Sequence, residues 1–379
     1  MFDYETMKLI WWALVGVLLI GFVVMDGMDL GVGTLLPFMS KDDVERRVVI
    51  NTVGPHWDGN QVWFITAAGA LFAAWPAVYA AAFSGFYFAM MLVLFALFFR
   101  PVGFDYRSKL ENPKWRNFWD WGLFIGSMLP GLVFGIAFGN LLQGVPFHYD
   151  DFLRPYYTGS FLGLFNPFAL LSGVVSLGML TLHGAIYLQL RTTDVLNARA
   201  RRFVRLATLV TLASFALAGL WVAFGMDGYR IVSQPEPGAL PNPLAKTVEI
   251  ASGAWMQNYR SQPLTMIAPI AGFLGPLLTW LFSRLGRPGL GFISSAIGMA
   301  GIITTAAVSM FPFVMPSSSN PNASLTLWDA ASSHMTLSIM FVAAAIFVPL
   351  IILYTSWCFY KMRGKVTVEA IRENSHSAY

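Results

Sequence analysis

The chain has few charged residues and almost no cysteine. Only 12% of its 379 residues are Asp, Glu, Lys or Arg, whereas soluble domains carry about 25%. The single cysteine, Cys358, excludes an internal disulfide, and no CxxC or CxxCH motif offers a metal site or c-type haem attachment. Residues 1–8 contain one lysine and no small-residue cleavage site, so the first apolar run is expected to stay as a helix.

Apolar sequence dominates instead, at 56% of the residues. Membrane helices tolerate the frequent Gly and Pro, and the Trp and Tyr residues suit the two membrane interfaces. A bilayer-spanning helix needs about 20 apolar residues. Such runs occur at 9–36, 54–74, 78–99, 118–140, 165–190, 203–224, 263–283, 290–311 and 335–358. The sequence therefore predicts an all-α integral membrane protein with about nine transmembrane helices.

The order of the runs predicts a single transmembrane domain, 1–379, built from two four-helix bundles and one peripheral helix. The first bundle takes about 1–140, the second 165–311 and the last helix 335–358, followed by a tail at 359–379. The longest loop, at about 225–262, is Pro-rich around 235–243 and is expected to be partly irregular.

Basic residues give the expected orientation. With the N-terminus outside, 19 of the 24 Lys and Arg residues fall in inner segments, as the positive-inside rule requires. We therefore expect a periplasmic N-terminus, a cytoplasmic C-terminus and an odd number of helices. The net charge of +4 belongs to these short loops, so no nucleic-acid partner is expected.

Ionisable residues at membrane depth are functional candidates, because burying them is costly. The topology brings several to the inner end of one four-helix group: Asp26, Asp29, His56, Asp58, Arg100 and Asp120. Such a cluster can bind and release protons, or it can be a structural set of ion pairs at helix ends. In the structural reading, Asp58 favours the N-terminus of its own helix.

The remaining histidines give weaker signals. His183 is a lone polar residue in the fifth run, and an interhelical hydrogen bond is the expected role for it. No pair of histidines lies on facing apolar helices, so we predict no axial haem ligand and no metal site in this chain. Nucleophilic catalysis and phosphate loops have no motif here.

Several long motifs resemble the second subunit of cytochrome bd ubiquinol oxidases of the enterobacterial kind. They follow one another in order: PHWDGNQVW at 55–63, LFAAWP at 71–76, FSGFY at 83–87, FFRPVGFDYR at 98–107, GNLLQGVP at 139–146 and FPFVMPSS at 311–318. The resemblance covers essentially the whole chain and is least distinctive at 225–262.

The resemblance implies a multi-pass subunit of an electrogenic bacterial inner-membrane complex that oxidises ubiquinol and reduces dioxygen to water. Haem b and haem d are then ligated mainly by subunit I, which this chain stabilises. Small single-helix accessory subunits, membrane lipid and a structural ubiquinone are further partners in such a family; the quinone-binding residues are unknown. Asp58 resembles the family's proton-entry carboxylate, and Trp63 an aromatic residue at an oxygen path or subunit contact.

Two other functions stay open at this point. A proton-coupled transporter would use the carboxylates for its coupling ion, but transporter sites lie near the midplane on broken helices. A purely structural assembly subunit would need no proton route at all.

Overall fold

A computed structural model describes residues 2–373 of the chain. Fourteen α-helices form most of it: α1 Tyr4–Met39, α2 Asp43–Asn51, α3 Trp57–Ala74, α4 Pro76–Gly85, α5 Tyr87–Leu97, α6 Phe99–Tyr106, α7 Pro113–Gln143, α8 Pro167–Arg191, α9 Asp194–Phe224, α10 Gln257–Ser261, α11 Ile267–Arg284, α12 Pro288–Met310, α13 His334–Lys361 and α14 Val368–Glu373. The last six residues of the predicted tail lie outside the described residues.

Eight helical segments within 2–373 are long and apolar enough to cross a bilayer: α1, Tyr87–Lys109, α7, α8, α9, Pro263–Arg284, α12 and α13. This confirms the prediction of an all-α membrane protein. The predicted run at 54–74 corresponds to α3, which has 18 residues and begins with the polar sequence WDGNQ. The predicted count of about nine agrees with these eight segments together with α3.

The predicted helix at 78–99 is interrupted, unlike the others. Phe86 separates α4 from α5 with backbone angles of φ −94° and ψ 16°, and Phe98 separates α5 from α6. Pro101 lies three residues after the second interruption and has no backbone N–H to continue the helical ladder. The chain therefore crosses here as a bent series of segments from Pro76 to Tyr106.

Two groups of helices pack around α1 and α8. The first group is α1, α3, α5–α6 and α7, and the second is α8, α9, α11 and α12; α1 and α7 both contact α8. At the α1–α8 crossing, a Cβ added to Gly31 would lie 2.1 Å from the carbonyl oxygen of Leu180 and 2.8 Å from the backbone nitrogen of Gly184. Glycine is required there because the two backbones touch. The last span, α13, is mostly exposed and packs on α1 and α3.

Three two-stranded hairpins join at one end of the bundle, which we call the hairpin end. Their strands are β1 Phe147–Tyr149, β2 Pro155–Tyr157, β3 Asp227–Ser233, β4 Thr247–Ser252, β5 Phe313–Met315 and β6 Leu325–Thr326. The loop predicted to be partly irregular thus contains the β3–β4 hairpin. Buried Lys8 of α1 fixes the segment between β3 and β4 by donating to the carbonyls of Pro237 and Ala239, at 2.8 and 3.0 Å.

The opposite end of the bundle carries most of the basic residues, and we call it the basic end. Here Arg199 of α9 pairs with Glu45 of α2 at 2.6 Å. The segment after α13 folds back on α8, because the Arg191 guanidinium donates to the Met362 carbonyl at 2.6 Å. The short helix α14 then packs on α2.

Candidate functional site

The innermost element of the site is a buried ion pair between α1 and α6. The Arg100 guanidinium donates from both terminal nitrogens to the two carboxylate oxygens of Asp26, at 3.0 and 2.6 Å. Both side chains are almost completely buried. Trp57 lies 5.5 Å from the guanidinium carbon and stacks on Phe104. The geometry is bidentate, which is the strong form of an Arg–carboxylate pair.

Asp29 lies one helical turn after Asp26 and has a different environment. The Asn60 amide nitrogen donates to its Oδ2 at 2.8 Å, whereas its Oδ1 is buried without a hydrogen-bond partner. The His56 ring lies beside Oδ1, with its Nδ1 3.8 Å away. Asp29 therefore keeps one buried carboxylate oxygen that accepts no hydrogen bond.

A hydrogen-bonded chain connects Asp29 with helix α8. The Asn60 amide nitrogen also lies 3.0 Å from His56 Nδ1. His56 Nε2 lies 3.1 Å from the Thr52 carbonyl and 3.0 Å from the Tyr187 hydroxyl. Since a carbonyl only accepts, Nε2 carries the hydrogen and Nδ1 accepts from Asn60. We call Asp26, Asp29, His56, Asn60 and Arg100 the inner cluster.

Asp120 belongs to a second group that is separate from the inner cluster. Its oxygens accept from Arg107 Nε at 2.6 Å and from Arg46 at 2.8 Å. Arg107 also pairs with Asp43, which pairs with Arg116. Every formal charge in this group has an opposite partner, so it has the character of a structural ion-pair network that joins α2, the turn after α6 and α7.

Asp58 and Trp63 both lie on α3, outside these two groups. Asp58 is in the first turn of the helix and is exposed. Trp63 is partly buried, and its ring covers Gly21 of α1: a Cβ added there would lie 2.5 Å from the ring. The neighbouring Phe64 packs with Phe22 at 5.1 Å between ring centroids. The six charged or polar candidates are thus divided among an inner cluster, an ion-pair network and an exposed helix start.

Sequence reasoning overlooked the partners that complete these groups. Asn60 and Tyr187 connect the inner cluster, and Arg107 and Asp43 complete the network around Asp120. The signal for Tyr187 was its position four residues after His183, which puts both on one face of α8. The prediction for His183 is confirmed: its ring bonds Ser295 at 2.6 Å and the Val24 carbonyl at 3.0 Å.

The helices and the site together describe a multi-pass membrane protein with buried ion pairs and an exposed carboxylate at a helix start. The model of the family described as cytochrome bd terminal oxidase subunit II matches residues 7–362. The chain belongs to this family of terminal oxidase subunits.

Individual relatives agree with this assignment. Over the full length of both proteins, the chain is 58% identical to cytochrome bd-I ubiquinol oxidase subunit 2 of Escherichia coli K12. It is 33% identical to cytochrome bd ubiquinol oxidase subunit 2 of Bacillus subtilis, over 94% of this chain and 96% of that one. Its fold resembles a chain of the Geobacillus thermodenitrificans bd oxidase, with a TM-score of 0.71 at 15% identity, over 94% of this chain and 98% of that one.

Membership in this family implies haem in the complex and subunit I as a partner. A histidine that serves as an axial haem ligand needs a ring nitrogen free for the iron. Both ring nitrogens of His183 and of His56 already take part in hydrogen bonds. His334 Nε2 lies 2.9 Å from the Phe2 carbonyl at the start of the chain. Ligation by His183 or His56 would break these bonds, so neither ring fits an axial role. That this chain supplies no haem ligand stays a prediction.

Proposed function

We propose that this chain is the second subunit of an electrogenic inner-membrane complex that oxidises ubiquinol and reduces dioxygen to water. Its haem b and haem d are held mainly by subunit I, which this chain stabilises. The full-length match to a relative named as a ubiquinol oxidase subunit supports the proposal. A structural ubiquinone and small accessory subunits are compatible further components of that complex.

A second part of the proposal concerns protons, which dioxygen reduction consumes. The contrast in pairing supports it: Asp26 and Asp120 are each bound to arginine, whereas Asp58 is exposed and Asp29 keeps one unpartnered oxygen. A proton route needs groups that can exchange protons with water, whereas Asp26 and Asp120 are buried and held by arginine. We therefore assign proton entry to Asp58 and leave Asp26 and Asp120 with structural roles.

The exposed face of α3 is the proposed contact with subunit I. Asp58, Val62, Ile65, Gly69 and Phe72 are exposed, and their spacing of three or four residues places them on one side of the helix. A carboxylate at the start of that face can transfer protons where the two subunits meet. Trp63 lies beside the same face, which supports a role at the subunit contact or in oxygen access.

The orientation of the chain is part of the same proposal. The basic end, where Asp58 lies, is assigned to the cytoplasm because of the excess of Lys and Arg in its loops. The hairpin end is then periplasmic. With this orientation, protons drawn through Asp58 come from the cytoplasm, so their consumption adds to the proton motive force.

The test replaces Asp58 by Asn in the assembled complex, since Asn keeps the size and hydrogen bonding but cannot carry the proton. We expect normal haem content and oxygen consumption slower by about tenfold or more. Glu111→Gln, which removes another exposed carboxylate at the basic end, serves as the matched control and should be unaffected. Normal turnover and proton uptake in Asp58→Asn would favour a purely structural subunit instead.

A further inference from the structure

A polar cleft of about 340 Å³ opens at the basic end, outside the inner cluster. Its lining includes Thr193, Asp194, Asn197, Arg201, Gly286 and Lys365. These residues come from the α8–α9 turn with the start of α9, the α11–α12 turn and the segment after α13. Three parts of the chain that are distant in sequence thus build one cleft.

The cleft lies at the ends of four candidate membrane spans. Helix α8 ends at Arg191, α9 begins at Asp194, α11 ends at Arg284 and α12 begins at Pro288, and all four belong to candidate membrane spans. Large exposed apolar side chains lie on or next to α9, α11 and α12, among them Leu206, Leu209, Leu281, Leu285 and Leu290. A ligand with a polar head and aliphatic chains matches this arrangement.

The charges of the cleft favour a phosphate group. Arg201 and Lys365 both line it, and exposed Arg287 lies between the lining residues Gly286 and Pro288. Within residues 2–373, none of these three cations has a salt bridge to a carboxylate. Asp194 is the single acidic residue of the lining, so the cleft is positive overall.

The position of Lys365 is fixed by the backbone. The Val366 N–H donates to the Arg191 carbonyl at 2.8 Å, and Lys365 Nζ donates to the Thr192 carbonyl at 3.3 Å. That contact uses one of the three ammonium hydrogens. The segment after α13 is therefore held against α8, with donors of Lys365 still available to a ligand.

We infer that this cleft binds the head group of an anionic phospholipid, specifically phosphatidylglycerol. Arg201 and Lys365 bind its phosphate, since clusters of Lys and Arg between membrane helices recognise anionic head groups. The glycerol hydroxyls donate to the Asp194 carboxylate and the Asn197 amide oxygen. The acyl chains run along the exposed leucines of α9, α11 and α12. The net positive charge favours this lipid over zwitterionic phosphatidylethanolamine.

The test uses the purified complex after removal of loosely bound lipid. Phosphatidylglycerol is added back, and bound lipid is counted by native mass spectrometry for the wild type and for Arg201→Gln/Lys365→Gln. We expect the double variant to bind one lipid fewer, with an affinity for that lipid lower by roughly 30-fold. The matched control, Arg202→Gln/Arg205→Gln, removes two exposed arginines of the same helix that are not among the lining residues and should bind as the wild type does.

Further experiments distinguish a bound phosphatidylglycerol from free phosphate and from a zwitterionic lipid. Inorganic phosphate at millimolar concentration should not displace the lipid, and phosphatidylethanolamine should not replace it. A photoreactive phosphatidylglycerol should label residues 189–201 or 286–288. Equal lipid binding by wild type and double variant, displacement by inorganic phosphate, or equal binding of phosphatidylethanolamine would each overturn the inference. A normal haem spectrum of the double variant, or of Lys365→Gln alone if the double variant fails to assemble, shows that folding is intact.

Discussion

Arg100 meets both carboxylate oxygens of Asp26, and Asp29, one turn further along α1, has no hydrogen bond to that guanidinium. Two carboxylates three residues apart therefore have different partners. Asp26 is neutralised by a buried cation, and Asp29 is held by an amide. Removing the charged partner of Asp26 and removing the amide partner of Asp29 should therefore have unequal costs.

Breaking the buried pair from one side should destabilise the complex strongly. Arg100→Gln leaves the Asp26 carboxylate buried without a counter-charge, at a cost of roughly 3–5 kcal/mol. Asp26→Asn/Arg100→Gln removes both charges, so it should retain more haem-containing complex and a higher thermal midpoint than Arg100→Gln. Arg230→Gln, which breaks the exposed Arg230–Glu249 pair, should change neither quantity. A double variant as unstable as Arg100→Gln would show that shape, rather than charge, determines stability here.

The α1–α8 crossing should tolerate no side chain at Gly31. A methyl group there would lie 2.1 Å from a backbone oxygen of α8, and overpacking of this kind costs about 1–3 kcal/mol or more. We expect Gly31→Ala to lower the yield of assembled complex and its thermal midpoint. Gly16→Ala, on the same helix, meets no atom within 4 Å and is the control. If both variants assemble equally well, the two helices are not in contact as described.

The sequence predicted the helices well because apolar length alone identifies a membrane span. It also placed Asp26, Asp29, His56 and Arg100 at one end of one helix group. What it could not predict was rotation about the helix axes. Trp57 and Asn60 of α3 are buried, so Asp58 between them is directed outward; that follows from packing of α3 on α1 rather than from spacing.

The separation of Asp120 from the inner cluster had a related cause. Its partner Arg107 lies after Pro101, in a segment where the chain leaves the straight helix that the sequence predicted. The β3–β4 hairpin was also missed, since its turn region is long and Pro-rich and has no short hairpin turn signal. Contacts from distant segments, such as Val248 with Asn322 at 2.8 Å, hold it in place instead.

Orientation can be tested with reporter fusions. Alkaline phosphatase is active only in the periplasm, so a fusion after residue 379 should be inactive and an insertion at residue 240, in the β3–β4 loop, should be active. The reason is the excess of Lys and Arg at the basic end. A cytoplasmic reporter such as green fluorescent protein at the two positions should give the opposite pattern. Strong phosphatase activity after residue 379 would reverse the orientation and remove the cytoplasmic assignment of Asp58.

The hairpin end should have a pH-dependent stability because of a buried ion pair. Lys246 Nζ lies 2.8 Å from Asp329 Oδ2, and the Thr326 N–H donates to Asp329 Oδ1 at 2.9 Å. Burial raises the pKa of Asp329 above its usual 3.8, although the Lys246 charge opposes this. Burial likewise lowers the pKa of Lys246 below its usual 10.5, again against the attraction of its partner. For both groups, the cost of burying a charge outweighs the pairing.

The sign of the effect follows from Asp329. Because its pKa is higher in the folded state, its contribution to stability is complete below pH 3.8 and is lost as pH rises through the raised pKa.

Hydrogen exchange of residues 227–252, corrected for the intrinsic rates, should show a falling free energy of opening over this interval. Asp329→Asn should abolish that slope. Glu249→Gln removes an exposed carboxylate of the same hairpin and should keep the wild-type slope. A slope of opposite sign, or one that persists in Asp329→Asn, would assign the pH dependence to another group.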